Sequence, residues 1–319
     1  MVDRIVVTRN PPGNAVERLS ERADVWVWPH DTEIDPKVLT EQITGAAGLY
    51  CMLTDTIDER VLEAAPSLRV VSTMAVGVDN IDLEACAARG IAVGHTPDVL
   101  TDSTADMAWA LLMASSRRIE EAITYVKEGQ WGRWEPGTLL GYDVTGTTIG
   151  IIGMGRIGRQ VARRAAGFDM DILYSSRSRA AAVEQECQAS RVALDELLAR
   201  SDHVVVCAAL TDETRGMIDA DAFARMKPTA NLVNISRGPL VDTDALYEAL
   251  TTGQIRCAGL DVIDPEPISP DHRIVALPNC MVIPHLGSAT KRTRVAMADL
   301  AAENLLAGLS GQPMPARII

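Results

Sequence analysis

Short apolar runs alternate along this chain with segments whose apolar residues recur at helical spacing. The runs are rich in Val, Ile and Leu, which is typical of strands buried on both faces of a parallel sheet. Repeated strand–helix units predict an α/β fold with helices covering each sheet. The predicted strands are 4–8, 25–28, 48–53, 69–74, 91–93, 148–152, 171–174, 203–207, 231–235, 257–261 and 281–283. The predicted helices are 14–22, 36–42, 58–65, 83–88, 103–116, 119–128, 156–166, 195–200, 219–225, 243–251 and 290–309.

The rhythm of the pattern breaks near residue 100, where Pro97 precedes the long predicted helix 103–116. A chain of 319 residues is long for one hydrophobic core, so two domains are expected. We expect the last helix, 290–309, to pack back onto the first domain and make that domain discontinuous. The predicted domains are 1–100 with 289–319, and 101–288, each built on a doubly wound parallel sheet.

A glycine-rich turn joins the first strand and helix of the second series, in the stretch TTIGIIGMGRIGRQVARRAAGF. Gly153 permits a tight turn, Gly155 lets the backbone approach a pyrophosphate, and Gly158 lets the helix pack close to the strand. The helix N-terminus offers unpaired N–H groups and partial positive charge, and Gly167 is placed to end the helix. Because strand and helix flank the motif in the required order, it predicts a dinucleotide-binding Rossmann domain rather than an ordinary turn.

The end of the next strand bears on which dinucleotide binds. An NAD site usually places a carboxylate there for the ribose 2′-hydroxyl, but Asp171 lies at the start of this strand. The strand ends instead in Ser176, Arg177 and Ser178, which can bind a 2′-phosphate through charge-assisted hydrogen bonds. This pattern favours NADPH, with NADH possible, although a solvated basic loop is the alternative interpretation.

Composition narrows the possible partners. The formal net charge of −13 argues against nucleic acid or an anionic membrane as a partner. No apolar run reaches membrane-spanning length, and the N-terminal stretch lacks the apolar core of a signal peptide, so we expect a cytoplasmic protein. The six cysteines form no C-x-x-C pair, which predicts reduced thiols rather than disulfides, and no metal site.

Polar groups follow three predicted strands late in the chain, at Arg237, at 261–266 and at His285. Each has an ordinary interpretation alone, since acids beside prolines often form a solvated turn and a single histidine is usually just hydrogen-bonded. Gly238 and Pro239 should prevent a helix directly after Arg237. Because the C-terminal ends of parallel strands share one sheet edge, where such folds bind ligands, the three groups together predict a catalytic site.

Beside a nicotinamide dinucleotide, this set suits hydride transfer to or from a carbonyl carbon. His285 can donate the proton that the carbonyl oxygen needs near neutral pH. Glu266 can stabilise the protonated imidazole and fix its tautomer. Arg237 can hold a substrate carboxylate and polarise the keto oxygen.

An aromatic, irregular stretch follows the predicted helix 119–128 and contains Trp131, Trp134 and Tyr142. Exposed aromatic side chains often mark a subunit interface. A loop packed on its own domain is the alternative. We favour a dimerisation arm over about 119–146 and expect a homodimer.

The motifs GMGRIGR, NISRGPLVD, DPEP and HLGSAT, in this order, resemble the D-isomer-specific 2-hydroxyacid dehydrogenase family, most closely its glyoxylate/hydroxypyruvate reductases. The resemblance covers essentially the whole chain. It implies a Rossmann cofactor domain inserted into a flavodoxin-like substrate domain, and a dimer held by the arm. It also implies that Arg237, Glu266 and His285 are catalytic, and that backbone N–H groups of Val76 and Gly77 bind the substrate carboxylate. Beside Gly153, Gly158 and Ser176, the implied cofactor contacts are Thr104, Gly155, Arg156, Ile157, Arg177, Ser178, Ile235, Asp261 and Gly287.

The expected activity is NADPH-dependent reduction of a small anionic 2-keto acid, glyoxylate or hydroxypyruvate, to the D-2-hydroxy acid, with His285 as proton donor. Some such reductases narrow the pocket with a bulky aromatic side chain from the partner's loop. This chain carries Thr138 and Leu139 there, which favours a broader substrate range. The alternatives are therefore a broader 2-ketoacid or 2-ketogluconate reductase, and a nucleotide-sensing protein that resembles the corepressors of this fold.

Overall fold

The computed structural model describes residues 2–319, which form two compact units. The first unit comprises the described residues up to Leu100 together with Thr290–Ile319, and the second unit comprises Thr101–Ala289. The division after residue 289 lies one residue from the predicted one. Within residues 2–319, no helix is both long enough and apolar enough to cross a bilayer.

The strands lie close to the predicted runs, with ends that differ by a residue or two. They are β1 (Arg4–Val7), β2 (Asp24–Val27), β3 (Gly48–Cys51), β4 (Val70–Thr73), β5 (Ala92–Gly94), β6 (Thr148–Ile152), β7 (Asp171–Ser175), β8 (Ser190–Arg191), β9 (His203–Val206), β10 (Asn231–Asn234), β11 (Cys257–Leu260) and β12 (Cys280–Val282). The helices are α1 (Ala15–Ser20), α2 (Pro36–Ile43), α3 (Glu59–Glu63), α4 (Leu83–Ala88), α5 (Thr101–Ser116), α6 (Ile119–Lys127), α7 (Arg156–Ala166), α8 (Ala181–Cys187), α9 (Leu194–Arg200), α10 (Ala220–Arg225), α11 (Thr243–Thr251) and α12 (Lys291–Leu309).

The first unit has a parallel sheet in the order β2-β1-β3-β4-β5. This is the flavodoxin-like order, in which β2 lies on one side of β1 and the later strands are added on the other side. Helix starts in this unit are fixed by aspartates, because Asp35, Asp58 and Asp82 each accept a hydrogen bond from a backbone N–H of the first helical turn. The predicted α/β class is confirmed.

The last helix, α12, packs against β3 and β4 of the first unit. The Tyr50 hydroxyl donates to the Ala298 carbonyl at 3.3 Å. Arg18 of α1 forms ion pairs with Asp299 at 2.9 Å and Glu303 at 3.0 Å. Residues from both ends of the chain therefore complete this unit.

The second unit has a parallel sheet in the order β12-β11-β10-β9-β6-β7-β8. Its first strand, β6, lies inside the sheet, and the chain winds outward from it in both directions, as in a Rossmann fold. The two faces of the strands fill separate layers of core. Ile151 and Val233 belong to one layer, whereas Val206 and Leu232 belong to the other.

Two local expectations were incomplete or wrong, whereas the end of α7 at Gly167 was as predicted. Gly238–Leu240 form a single 3₁₀ turn where the sequence predicted no helix, because Pro239 suits the first turn of a helix and needs no N–H there. Gly167 does end α7, but in a right-handed conformation at φ −72°, and the left-handed residue is Asp169 at φ 52°. The short elements α8 and β8 were not predicted.

All six cysteines are free thiols, and five of them are buried.

Candidate active site

The glycine-rich turn after β6 has the geometry that its motif predicts. Gly153 has φ +95°, and a Cβ there would lie 2.6 Å from the Ala208 nitrogen. A Cβ on Gly158 would lie 2.1 Å from the Gly153 carbonyl oxygen, so α7 can pack on β6 only with glycine at this position. A Cβ on Gly155 would meet no described atom within 4 Å. Gly155 therefore faces open space at the start of α7, which fits a pyrophosphate bound there.

Arg156 and Ile157, two further predicted cofactor contacts, form the first turn of α7. Both side chains are at least partly exposed.

Ser176, Arg177 and Ser178 follow β7 and are at least partly exposed. The backbone of this turn is held by Arg191, whose Nη2 donates to the Ser176 carbonyl at 2.8 Å and to the Arg177 carbonyl at 2.9 Å. The Ser176 hydroxyl donates to the Ser178 carbonyl at 2.6 Å. The turn is thus ordered by its own chain, with the Arg177 side chain on the surface.

Arg179, the second arginine of this turn, pairs with Glu184 at 2.7 Å. Glu184 also accepts from the Tyr174 hydroxyl at 2.6 Å. These two partners keep the pKa of Glu184 below its usual range. Arg179 is therefore engaged by an acid of the helix that follows its turn.

Asp261, directly after β11, holds the turn that carries His285. Its carboxylate accepts from the N–H groups of Leu286 at 2.5 Å and Gly287 at 2.9 Å. Burial raises the pKa of this carboxyl, and the two N–H donors act against that effect. The His285 N–H donates to the Asp261 carbonyl at 2.9 Å. Asp261, a predicted cofactor contact, therefore also stabilises the backbone of this turn.

His285 and Glu266 are in direct contact. Nδ1 of His285 donates to Oε1 of Glu266 at 2.7 Å. The two residues follow β12 and β11, which are neighbouring parallel strands. The side chain of His285 is 23% exposed and that of Glu266 is 39% exposed, so the pair is accessible to a small ligand. Since a carboxylate only accepts, Nδ1 carries a proton and Nε2 is left for other partners.

Arg237 follows β10, the next strand of the sheet. Its loop is fixed by Asn234, which donates from Nδ2 to the Arg237 carbonyl at 2.9 Å and accepts from the Ser236 N–H at 3.1 Å. A Cβ on Gly238 would lie 2.2 Å from the Ile263 carbonyl carbon. The loop that carries Arg237 therefore packs directly against the loop that leads to Glu266.

Thr104, Ile235 and Gly287 are the remaining predicted cofactor contacts. Thr104 is 5% exposed and lies beside Gly287, because a Cβ on Gly287 would be 3.3 Å from Thr104 Cγ2. Ile235 follows β10 and is 5% exposed. All three are in the second unit, whereas Val76 and Gly77 belong to the first unit and are partly exposed.

The sequence did not reveal two residues that shape this site, Asn234 and Arg191. Asn234 could have been noticed as an amide at the end of an apolar strand, one position before the predicted strand end. Arg191 carries no such signal, because its role depends on the pairing of β8 with β7.

Comparison with known proteins identifies the family. Residues 109–287 match the family model for the D-isomer specific 2-hydroxyacid dehydrogenase, NAD binding domain. This chain belongs to the D-isomer specific 2-hydroxyacid dehydrogenase family. It is 47% identical over 319 residues to glyoxylate reductase/hydroxypyruvate reductase of Homo sapiens. The match covers 99% of this chain and 97% of that protein.

Solved structures of the family have the same fold. A glyoxylate reductase from Paecilomyes thermophila has a TM-score of 0.89 at 31% identity, covering 99% of this chain and 98% of that one. NADPH-dependent glyoxylate/hydroxypyruvate reductase from Sinorhizobium meliloti, in complex with NADP and malonate, has a TM-score of 0.88 at 31% identity, covering 100% and 97%. The second unit of this dehydrogenase is thus a nicotinamide dinucleotide-binding domain, and the chain is an oxidoreductase.

Proposed function

We propose that this dehydrogenase reduces glyoxylate and hydroxypyruvate to glycolate and D-glycerate, with NADPH as the preferred cofactor. The contact between His285 Nδ1 and Glu266 Oε1, at 2.7 Å, carries the proposal. It supplies an oriented proton donor at the sheet edge where Rossmann domains bind their ligands. The human and S. meliloti relatives are named for the same two substrates.

A bound nicotinamide dinucleotide supplies the hydride for the carbonyl carbon, and the protein supplies the rest. His285 donates the proton from Nε2 to the carbonyl oxygen and is left as neutral imidazole. Glu266, by accepting from Nδ1, stabilises the imidazolium before the transfer and keeps Nε2 directed away from itself. Hydride and proton together convert the carbonyl group into a hydroxyl group, which gives a primary alcohol from glyoxylate and a secondary alcohol from hydroxypyruvate.

Arg237 binds the anionic substrate in this proposal. Its guanidinium can hold the carboxylate through paired hydrogen bonds and polarise the keto oxygen, so that charge developing there is stabilised. The backbone N–H groups of Val76 and Gly77 provide further donors for the carboxylate. A substrate without a carboxylate should therefore be a poor one.

Steady-state kinetics with purified protein test the assignment. His285→Gln should lower kcat at least about a hundredfold, because a positioned general acid contributes roughly 10²–10⁴-fold. Its affinity for NADPH, measured by fluorescence titration, should be unchanged. His272→Gln, in the same unit but outside the proposed site, is the control and should retain wild-type kcat.

A panel of 2-keto acids separates the proposal from its rivals. Higher kcat/KM for glyoxylate and hydroxypyruvate than for bulkier acids supports the proposal, whereas the reverse order indicates a broader 2-ketoacid or 2-ketogluconate reductase. Cofactor binding with no turnover of any acid would instead indicate a nucleotide-sensing protein.

The proposed assembly is a homodimer held by α6 and the following loop. None of the α6 residues is buried within this chain. Its apolar Ile123 and Val126 are 49% and 54% exposed, and Trp134 in the loop is 81% exposed. Apolar and aromatic surface of this kind is typical of a subunit interface.

A further inference from the structure

The turn after β4 is held from behind by the segment that follows β5, within the first unit. The Thr96 N–H donates to the Ala75 carbonyl at 2.8 Å. Nδ1 of His95 lies 2.9 Å from the Val76 carbonyl oxygen. A carbonyl oxygen only accepts hydrogen bonds, so His95 must be the donor and Nδ1 must carry the proton. Two consecutive carbonyls of the turn are therefore fixed.

His95 is itself anchored on both sides of its own peptide. Its carbonyl accepts from Nδ2 of Asn304 at 2.9 Å, and its N–H donates to the Ala316 carbonyl at 3.1 Å. Oδ1 of Asn304 accepts from the Ala316 N–H at 2.9 Å, and Asn304 is fully buried in α12. The imidazole thus projects from a rigid base formed by α12 and the C-terminal segment.

The hydrogen bond from His95 determines where the Gly77 N–H points. The peptide bond between Val76 and Gly77 is trans, so its C=O and N–H groups point in opposite directions. With the carbonyl directed at the imidazole, the N–H of Gly77 is directed away from it. Within the described chain, neither the Val76 nor the Gly77 N–H has a hydrogen-bond acceptor, and both residues are partly exposed.

We propose that His95 is a positioning residue that aims the Gly77 N–H at the carboxylate of the 2-keto acid substrate. The inference rests on the proposed function, in which this turn binds that carboxylate. His95 contacts neither substrate nor cofactor in this role, and it acts only through the Val76–Gly77 peptide. Its loss lets this peptide rotate, so the carboxylate loses an oriented donor while the nucleotide site of the second unit is unaffected.

Three substitutions of His95 separate its hydrogen bond to the Val76 carbonyl from any role in packing. None of the new side chains is larger than histidine. In His95→Asn, Nδ2 is bonded to Cγ as Nδ1 is in histidine, so a donor to the Val76 carbonyl is retained. His95→Asp has the same shape but only acceptors, which repel that carbonyl. His95→Ala has neither. We expect KM for glyoxylate to rise at least about tenfold in the Ala and Asp variants and to stay within about threefold of wild type in the Asn variant.

Kinetics with NADPH as the varied substrate and thermal melting provide two controls. Both KM for NADPH and Tm should match wild type in the Asn and Asp variants. The inference is overturned if the Ala and Asp variants keep wild-type KM for glyoxylate, or if Asn is as impaired as Asp. It is also overturned if KM for NADPH rises in parallel with KM for glyoxylate. A wild-type protein that reduces no 2-keto acid refutes the proposed function instead. The inference is then decided by the ¹⁵N–¹H shift of the Gly77 amide, which Asp must change and Asn must preserve.

Discussion

The backbone of His285 has φ 52°, a left-handed conformation that is uncommon for residues other than glycine, asparagine and aspartate. The surrounding hydrogen bonds enforce it, since Asp261 accepts from the two residues that follow and its carbonyl accepts from His285 itself. Such strain is typical of functional sites in rigid surroundings. One buried acid thus fixes the backbone, and a second acid, Glu266, contacts the imidazole.

The different roles of Asp261 and Glu266 show how much of this site could be predicted from the sequence. The motif DPEP and the histidine after the next strand could be placed at one sheet edge, because parallel strands end together. Which carboxylate would contact the imidazole depends on the course of the loop from Asp261 to Glu266. That course is set by close packing of Ile263 on Gly238, which no local pattern reveals.

Arg177 provides a residue-scale test of the cofactor proposal. Arg177→Ala should lower kcat/KM for NADPH by about 10- to 100-fold, since a hydrogen bond to a charged group contributes roughly 1.5–3 kcal/mol. The value for NADH should hardly change, because NADH has no 2′-phosphate. Kinetics with both cofactors measure the ratio.

Arg179→Ala is the matched control in the same turn. Because Arg179 is paired with Glu184 at 2.7 Å, its loss should leave the cofactor ratio close to wild type. Wild-type protein that prefers NADH, or an Arg177→Ala ratio equal to that of wild type, contradicts the proposed preference.

His203 at the start of β9 predicts acid sensitivity of the second unit. The residue is 1% exposed, and burial, assisted by the nearby Arg256 charge, lowers the pKa of its imidazole to about 4. Between pH 6.5 and 4 the unfolded chain binds a proton that the folded chain does not. The free energy of unfolding should therefore fall as the pH drops through this window, by up to roughly 3 kcal/mol from this residue.

Urea denaturation at several pH values measures the effect. His203→Phe keeps a ring of similar shape but cannot bind a proton, so its free energy of unfolding should depend less on pH between 6.5 and 4. Replacement of the exposed His30 by Gln should leave the wild-type dependence in place. Equal slopes for His203→Phe and wild type would exclude His203 as the cause.

At the scale of elements, the glycine-rich turn gives two opposite predictions from one motif. Gly158→Ala should lower the free energy of unfolding by about 1–3 kcal/mol or more, because the new methyl group would lie 2.1 Å from the Gly153 carbonyl oxygen. Gly155→Ala should not, because its φ of −75° suits alanine and its Cβ meets no described atom within 4 Å.

Cofactor binding should separate these two variants in the other direction. Gly155→Ala should weaken NADPH binding by about an order of magnitude or more, since the methyl group occupies the path by which backbone approaches the pyrophosphate. Thermal melting and fluorescence titration of both variants provide the comparison. A Gly155→Ala protein with wild-type affinity would show that the pyrophosphate does not lie against this residue.

Most elements could be predicted because their apolar periodicity is strong, and because short apolar runs bounded by turn residues are typical of buried parallel strands. The exceptions have weak local signals. The helix α8 begins at Ala181 and has no side-chain cap from Ala180, and β8 has only two residues, both exposed. Their existence depends on tertiary contacts, such as the bonds from Arg191 to the turn after β7.

At the scale of the whole molecule, the apolar surface of α6 predicts the assembly. Charges introduced at the contact, in the double variant Ile123→Glu and Val126→Glu, should convert a dimer into monomers, because each buried carboxylate would lack a partner. Size-exclusion chromatography with light scattering measures the mass. Val275→Glu, which alters an exposed apolar residue elsewhere in the unit, should leave the mass unchanged. A monomeric wild-type protein would refute the proposed dimer.

The discontinuity of the first unit also sets an order of events at the ribosome. The strands β3 and β4 are translated early, but α12, which covers them, is translated only after the whole second unit has been made. A nascent chain therefore carries an uncovered apolar sheet face while an intact nucleotide-binding domain folds behind it. Chaperones should therefore be able to bind this face until α12 has left the ribosome and packed against it.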